Sequence, residues 1–173
     1  MNRLSHISGA EKKKSIAIAV LTVSDTRDKE TDKSGGTIIQ MAESAGHHIV
    51  DYRIRTDEPA EISSNVEEWI GNEGIEAIII TGGSGIGFRD VTIETVTPYF
   101  TKAIDGFGEL FRYLSYTEDV GSKALLSRAT AGSIDEKVLF ALPGSSKAVK
   151  LAMEKLILPE LHHIVHELTK HRK

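Results

Sequence analysis

Residues 16–23, IAIAVLTV, form an unbroken apolar run, and such a run is a strand buried on both faces beneath two layers of helices. Shorter runs of the same kind occupy 75–80 and 138–142. Between them the period changes. After Ser34 and Gly35, residues Ile38, Ile39, Met41, Ala42 and Ala45 share one side of a helix that Gly46 ends. Ile62, Val66, Trp69 and Ile70 stand at i, i+4, i+7 and i+8 of a second helix, closed by Gly71 and Gly74. Val50, Tyr52 and Ile54 alternate with Asp51 and Arg53, the period of a half-buried strand. A short helix is predicted from about Thr92 and a helical stretch over 106–128. Another helix runs to about Leu158, and Pro159 starts a last one with Leu161, Ile164, Val165 and Leu168 on one stripe. Strands alternating with helices predict an α/β fold, a three-layer α/β/α sandwich around a mostly parallel sheet. The hairpin signals of an all-β fold are missing.

At 173 residues the chain has room for one ordinary domain, expected over 15–173 behind a polar, flexible arm at 1–14 that carries Lys12, Lys13 and Lys14. The arm has no apolar core of a secretory signal, and no run is long enough to span a bilayer, so no membrane association is expected. A net charge of −4 argues against nucleic acid as the main partner, because phosphate neutralisation needs a basic surface. No cysteine is present, which removes disulfides, thiolate metal sites and a cysteine nucleophile, and a cytoplasmic location is the simplest expectation.

Three predicted strands end in loops of unusual composition: Ser24-Asp25-Thr26-Arg27, residues 81–90, and Pro143-Gly144-Ser145-Ser146. If the strands are parallel, these loops meet at one edge, where open α/β sheets bind ligands. In the central loop Gly82, Gly83, Gly85 and Gly87 let the backbone approach a ligand, and consecutive N–H groups can form an anion nest; the alternative reading is a flexible glycine turn. The helix near Thr92 adds free N–H groups, and Ser84 adds a hydroxyl. The loop has neither the Gly-Lys-Ser/Thr ending of a P-loop nor the third glycine of a dinucleotide fingerprint. Asp25, Asp57 and Asp90 crowd the same crevice. Carboxylates repel phosphates, so an anion cradle beside them calls for a divalent cation, and Mg²⁺ takes one or two carboxylates plus substrate phosphates and water. Asp57 can instead cap the helix at Pro59, and Asp90 the helix near Thr92; both readings stay open. Arg89 either holds a phosphate or pairs with a neighbouring acid. His166-Glu-Leu-Thr-Lys170 fails the zincin pattern, because Lys170 replaces the second histidine, and His162, His163 and His166 read as surface residues. Phe88, Phe107, Phe111 and Tyr113 lie close in sequence, with core as the default reading and an oligomer interface as the alternative.

Thr81-Gly-Gly-Ser-Gly, then Arg89-Asp-Val-Thr, Gly106-Phe-Gly-Glu109, Leu126-Ser-Arg128 and Leu142-Pro-Gly-Ser145 follow one another at sensible spacing. Together they resemble the MoaB/MogA family of molybdenum cofactor biosynthesis over roughly residues 15–168, and the Phe-Gly-Glu-Leu-Phe-Arg stretch is closer to MoaB. The resemblance implies a Rossmann-like molybdopterin-binding fold assembled as a homotrimer or homohexamer. It implies a Mg²⁺-dependent reaction in which molybdopterin and ATP give adenylylated molybdopterin and pyrophosphate. By the same resemblance Asp57 and Asp90 are the catalytic, metal-binding aspartates. Thr81, Gly82, Gly83, Ser84 and Gly85 form one pterin-binding loop, and Pro143, Gly144 and Ser145 a second. Ser24, Asp25, Arg89 and Glu109 complete the substrate contacts. Ser84 stands where many relatives carry Thr and keeps the hydroxyl; Gly87-Phe88 stands where they often carry Ala and Pro. The same resemblance admits a non-catalytic carrier that binds molybdopterin and hands it to a molybdate-inserting enzyme.

Overall fold

A computed structural model describes residues 14–172; the arm expected at 1–14 lies, apart from Lys14, outside the described residues. The chain runs through β1 (Ala17–Val23), α1 (Lys33–Ser44), β2 (His48–Arg55), α2 (Pro59–Ile70), β3 (Ala77–Thr81) and α3 (Thr92–Val96). It continues through β4 (Lys102–Ala103), α4 (Asp105–Glu118), β5 (Thr130–Ile134), β6 (Lys137–Leu142), α5 (Ser146–Ala152) and α6 (Leu158–Thr169). The strands form one six-stranded sheet in the order β2-β1-β3-β6-β5-β4. The four strands β2, β1, β3 and β6 are parallel, while β5 and β4 run antiparallel at one edge.

Alternation along the central strands explains the two covering layers. Ile18 and Val20 of β1, Ile79 of β3 and Phe140 of β6 pack toward α1, α4, α5 and α6. Their neighbours Ala19, Leu21, Ile78, Ile80 and Leu139 pack on the opposite face against Ile62, Val66 and Trp69 of α2 and Val96 of α3. Each fully buried isoleucine contributes roughly 1.5–3 kcal/mol relative to exposure. The predicted three-layer sandwich is therefore the observed one.

The differences have local causes. β2 carries a bulge opposite Ile18/Ala19, where the register skips Val50, so Val50 is exposed instead of half-buried. The sheet contains one hairpin that the sequence did not announce: β5 and β6 join through Asp135-Glu136, with Asp135 at φ +52°. The helix expected over 106–128 stops at Glu118; Asp119 leaves helical geometry, Gly121 takes φ +59°, and 121–126 continue as a 3₁₀ turn. α5 and α6 form one continuous helical rod through a π turn at Met153–Ile157, where the Leu158 N–H bonds back to the Met153 carbonyl. That widened turn directly precedes Pro159, which has no N–H to give. The aromatic group divides: Phe107 and Phe111 are core, whereas Phe88 and Tyr113 are exposed. No helix among the described residues is long and apolar enough to cross a membrane.

Candidate functional site

Because β1, β3 and β6 are parallel neighbours, their carboxyl ends deliver three loops to one place. Hydrogen bonds lock them together. The Gly82 N–H donates to the Leu142 carbonyl at 3.0 Å, and the Thr81 hydroxyl to the Pro143 carbonyl at 2.8 Å. The Ser24 N–H donates to the Arg55 carbonyl at 2.8 Å, which attaches the end of β2. Between the loops lies a cavity of about 640 Å³. Ser24, Asp25, Asp57, Thr81, Gly82, Gly83, Ser84, Gly85, Asp90, Pro143, Gly144 and Ser145 all contribute to its wall.

The glycines of the central loop serve the chain before any ligand. Gly82 has φ +99°, and a Cβ there would stand 2.1 Å from the Val23 carbonyl oxygen, so only glycine lets β3 leave the sheet beside β1. At Gly85 a Cβ would meet the Asp90 carboxylate at 2.7 Å. The same carboxylate accepts the Gly87 N–H at 2.8 Å, so Asp90 closes the loop on itself. Arg128 holds the loop from outside, donating from Nε (2.9 Å) and Nη2 (2.6 Å) to the Gly85 carbonyl while it pairs with Glu94. The N–H groups of Gly83, Ser84 and Gly85 have no acceptor among the described residues. The helix after the loop contributes less than the sequence suggested. α3 is five residues long, and its first N–H, that of Thr92, donates to the Gly83 carbonyl.

Neither predicted aspartate caps a helix. α2 is preceded by Glu58 and α3 by Val91, and neither cap position makes a side-chain bond. Asp57 instead turns its carboxylate toward Gly83, where a Cβ would lie 3.1 Å from Oδ1, and that carboxylate makes no hydrogen bond among the described residues. Burial, together with the negative charges of Asp25 and Asp90, raises the Asp57 carboxyl above the usual aspartate range. Asp25 is lowered instead, chiefly by its hydrogen bonds from Arg89.

Arg89 and Glu109 do not line the cavity. The Arg89 guanidinium straddles Asp25 (Nε 3.1 Å, Nη2 3.0 Å) and Glu58 (Nη1 2.6 Å), so of its two sequence readings the acid pairing is the one observed. Glu109 is exposed on α4. Among the expected hydroxyls, three are already engaged by the chain. Ser24 Oγ accepts the N–H groups of Thr26 and Arg27, Thr81 donates to Pro143, and Ser145 Oγ caps α5 by accepting the Ala148 N–H at 3.1 Å. Ser84 is buried as a residue, and its hydroxyl makes no hydrogen bond among the described residues.

One wall of the cavity was not foreseen. Phe111 and Ser115 of α4, then Asp119, Val120, Lys123, Ala124, Leu126 and Ser127, fold over the opening because the helix breaks at Asp119. The signal was Gly121, read as helix interior when it marks a left-handed turn. Here the Ser127 hydroxyl is buried without a partner among the described residues. On the other side Thr22 and Ser34 were missed, and Thr26 and Arg27 line the cavity as part of the predicted first loop although they were not named as contacts. The site thus places cationic Arg27 and Lys123 around the same space as Asp57 and Asp90. No cluster of three or more histidine, cysteine or acidic ligands exists among the described residues.

Known proteins resemble this chain over most of its length. The family model described as probable molybdopterin binding domain matches residues 19–163. Molybdenum cofactor biosynthesis protein B of Staphylococcus aureus (strain COL) is 56% identical over 159 residues, covering 91% of this chain and 94% of that one. A crystal structure of a molybdenum cofactor biosynthesis protein B superposes with a TM-score of 0.89 at 49% identity, over 91% of this chain and 98% of the other. The tungsten cofactor synthesizing protein MoaB from Pyrococcus furiosus gives a TM-score of 0.80 at 40% identity, over 90% and 98% of the two chains.

Proposed function

This chain belongs to the molybdenum cofactor biosynthesis protein B family with its molybdopterin-binding domain, and we propose that it adenylylates molybdopterin in the cavity at the carboxyl edge of its sheet. The observation that carries the reading is the convergence of the three strand-end loops on one space holding both free backbone N–H groups and unpaired carboxylate. A terminal phosphate oxygen of molybdopterin attacks the α-phosphorus of ATP. A new P–O–P bond forms, the bond from the α-phosphorus to the bridging oxygen of the β-phosphate breaks, and pyrophosphate leaves. The protein does little covalent work. It holds two anions in line and offsets their repulsion. The N–H groups of Gly83, Ser84 and Gly85, with the Ser84 hydroxyl, orient one phosphate or the pterin edge. Arg27 and Lys123 supply positive charge at the mouth. Asp57 and Asp90 are the residues that would hold a Mg²⁺ ion, which when bound would neutralise charge on the reacting phosphates.

The assembly is a homotrimer or homohexamer in the cytoplasm that passes its product to a molybdate-inserting enzyme. Exposed Leu110, Tyr113 and Tyr116 on α4, with Leu125 beside them, support self-association. The test pairs calorimetry with an assay of pyrophosphate release, using molybdopterin, ATP and Mg²⁺. Binding accompanied by release supports the enzyme. Binding with no release selects the non-catalytic carrier.

A further inference from the structure

One buried carboxylate outside the predicted site ties together the floor of the cavity. Asp32 precedes α1 and is 6% exposed. Its Oδ2 accepts the Thr22 hydroxyl at 2.6 Å and also the Tyr52 hydroxyl. Its Oδ1 accepts the Gly35 N–H at 2.9 Å and the Ser34 hydroxyl at 3.2 Å. Those donors belong to the end of β1, to β2 and to the first turn of α1. Thr22 and Ser34 both line the cavity.

An ordinary helix cap needs only the bond to Gly35. The other three are costly to assemble in a buried place and make sense as a device of orientation. A hydroxyl that donates to a carboxylate cannot turn its proton elsewhere, so Thr22 and Ser34 present only lone pairs to whatever enters. Space confirms how tightly the hub is drawn. A Cβ on Gly35 would lie 2.1 Å from Asp32 Oδ2 and 2.6 Å from Thr22 Oγ1. The Tyr52 phenol, held by burial and by this carboxylate, is pushed far up from its ordinary value, so it remains a donor.

We infer that Asp32 is a positioning residue of the molybdopterin site, fixing the Thr22 and Ser34 hydroxyls as acceptors for the N–H-rich pterin ring. The inference rests on the reading that this cavity takes molybdopterin. Asp32→Asn isolates the effect, because asparagine caps a helix as well as aspartate does. With the amide oxygen kept on Gly35, the amide nitrogen faces Thr22 and Tyr52 and reverses the direction of their bonds. Gly35→Ala displaces the same carboxylate without changing any charge. Trp69→Phe, buried in the opposite layer, is the control for lost stability alone.

Molybdopterin titration of the full chain, with thermal melting of each variant, reads the outcome. Asp32→Asn and Gly35→Ala are expected to weaken binding by about tenfold or more, the loss of one well-placed hydrogen bond. Trp69→Phe lowers the melting temperature and leaves the affinity unchanged. Wild-type affinity in both hub variants would overturn the inference and leave Asp32 a helix cap. So would an affinity loss in Trp69→Phe that matches theirs. Failure of the wild-type chain to bind molybdopterin would overturn the reading of the cavity itself, and the inference with it.

Discussion

The Asp57 N–H donates to the Asp25 carboxylate at 3.0 Å, across 32 positions of sequence. That bond fastens the loop after β2 to the loop after β1 and places two acids side by side. Arg89 pairs with Asp25, whereas Asp57 has no ion pair among the described residues and feels Arg89 only at a distance, too weakly to offset burial and the charge of Asp25. The site therefore keeps one exposed-to-cavity carboxylate at an electrostatic cost to the fold.

Asp57→Asn is expected to raise thermal stability while removing most turnover. A carboxyl whose folded pKa is raised favours the fold when protonated and opposes it once pH rises through that value. At neutral pH the charge works against folding, and the amide removes it. Loss of such an electrostatic contact commonly costs on the order of 10²–10³ in rate. Melting curves at pH 7 beside initial rates check both halves; a less stable Asp57→Asn contradicts the account.

Asp90→Asn should fold almost as well as the native chain, since an amide oxygen still accepts the Gly87 N–H. Asp90→Ala frees that N–H and loosens the loop. Turnover falls in both variants, and hydrogen exchange at residues 83–89 rises only in the alanine variant. Native turnover in Asp90→Asn would reduce Asp90 to a loop clasp.

Two glycine substitutions should move stability in opposite directions. Gly82→Ala forces a side chain into φ +99° against the Val23 carbonyl and costs about 1–3 kcal/mol. Gly36→Ala sits in α1 with nothing within 4 Å of the added Cβ and gains about 0.4–1 kcal/mol. Denaturant midpoints measure both.

His47 makes the far edge of the sheet acid-sensitive. Its Nδ1 accepts the Ile16 N–H at 3.1 Å, and its ring centroid lies 4.9 Å from that of His162. Burial first, then His162 and His48, lower its pKa against the opposing pull of Glu76. Because the folded value is depressed, the unfolded chain takes the proton first. The stability is intact above about pH 6.5, the ordinary histidine value, and is lost as pH falls through the folded value. His47→Asn, whose amide oxygen can take the same N–H, should flatten that part of the curve of melting temperature against pH.

Much of the site was readable because parallel strands buried on both faces are spelled as apolar runs, and the loops that follow them must share an edge. Runs 16–23, 75–80 and 138–142 by themselves place Ser24, Thr81 and Pro143 at one edge. The rest had weaker spelling. β4 is two residues long, and β5 is TAGSI, whose small side chains show no period. Asp135-Glu136 is not a hairpin dipeptide, so the antiparallel edge stayed hidden. The wall at 119–127 depends on Gly121 ending a helix whose apolar pattern runs on past it. Asp32 was invisible for another reason: its partners Thr22, Ser34 and Tyr52 come from three elements, and only folding brings them together.

The most direct measurement uses ATP labelled at the α-phosphate, incubated with the full chain, molybdopterin and Mg²⁺, and follows the label by mass. The account predicts label on molybdopterin in step with pyrophosphate release, lost in Asp57→Asn and Asp90→Asn. Molybdopterin that stays bound and unlabelled while ATP stays intact would contradict it.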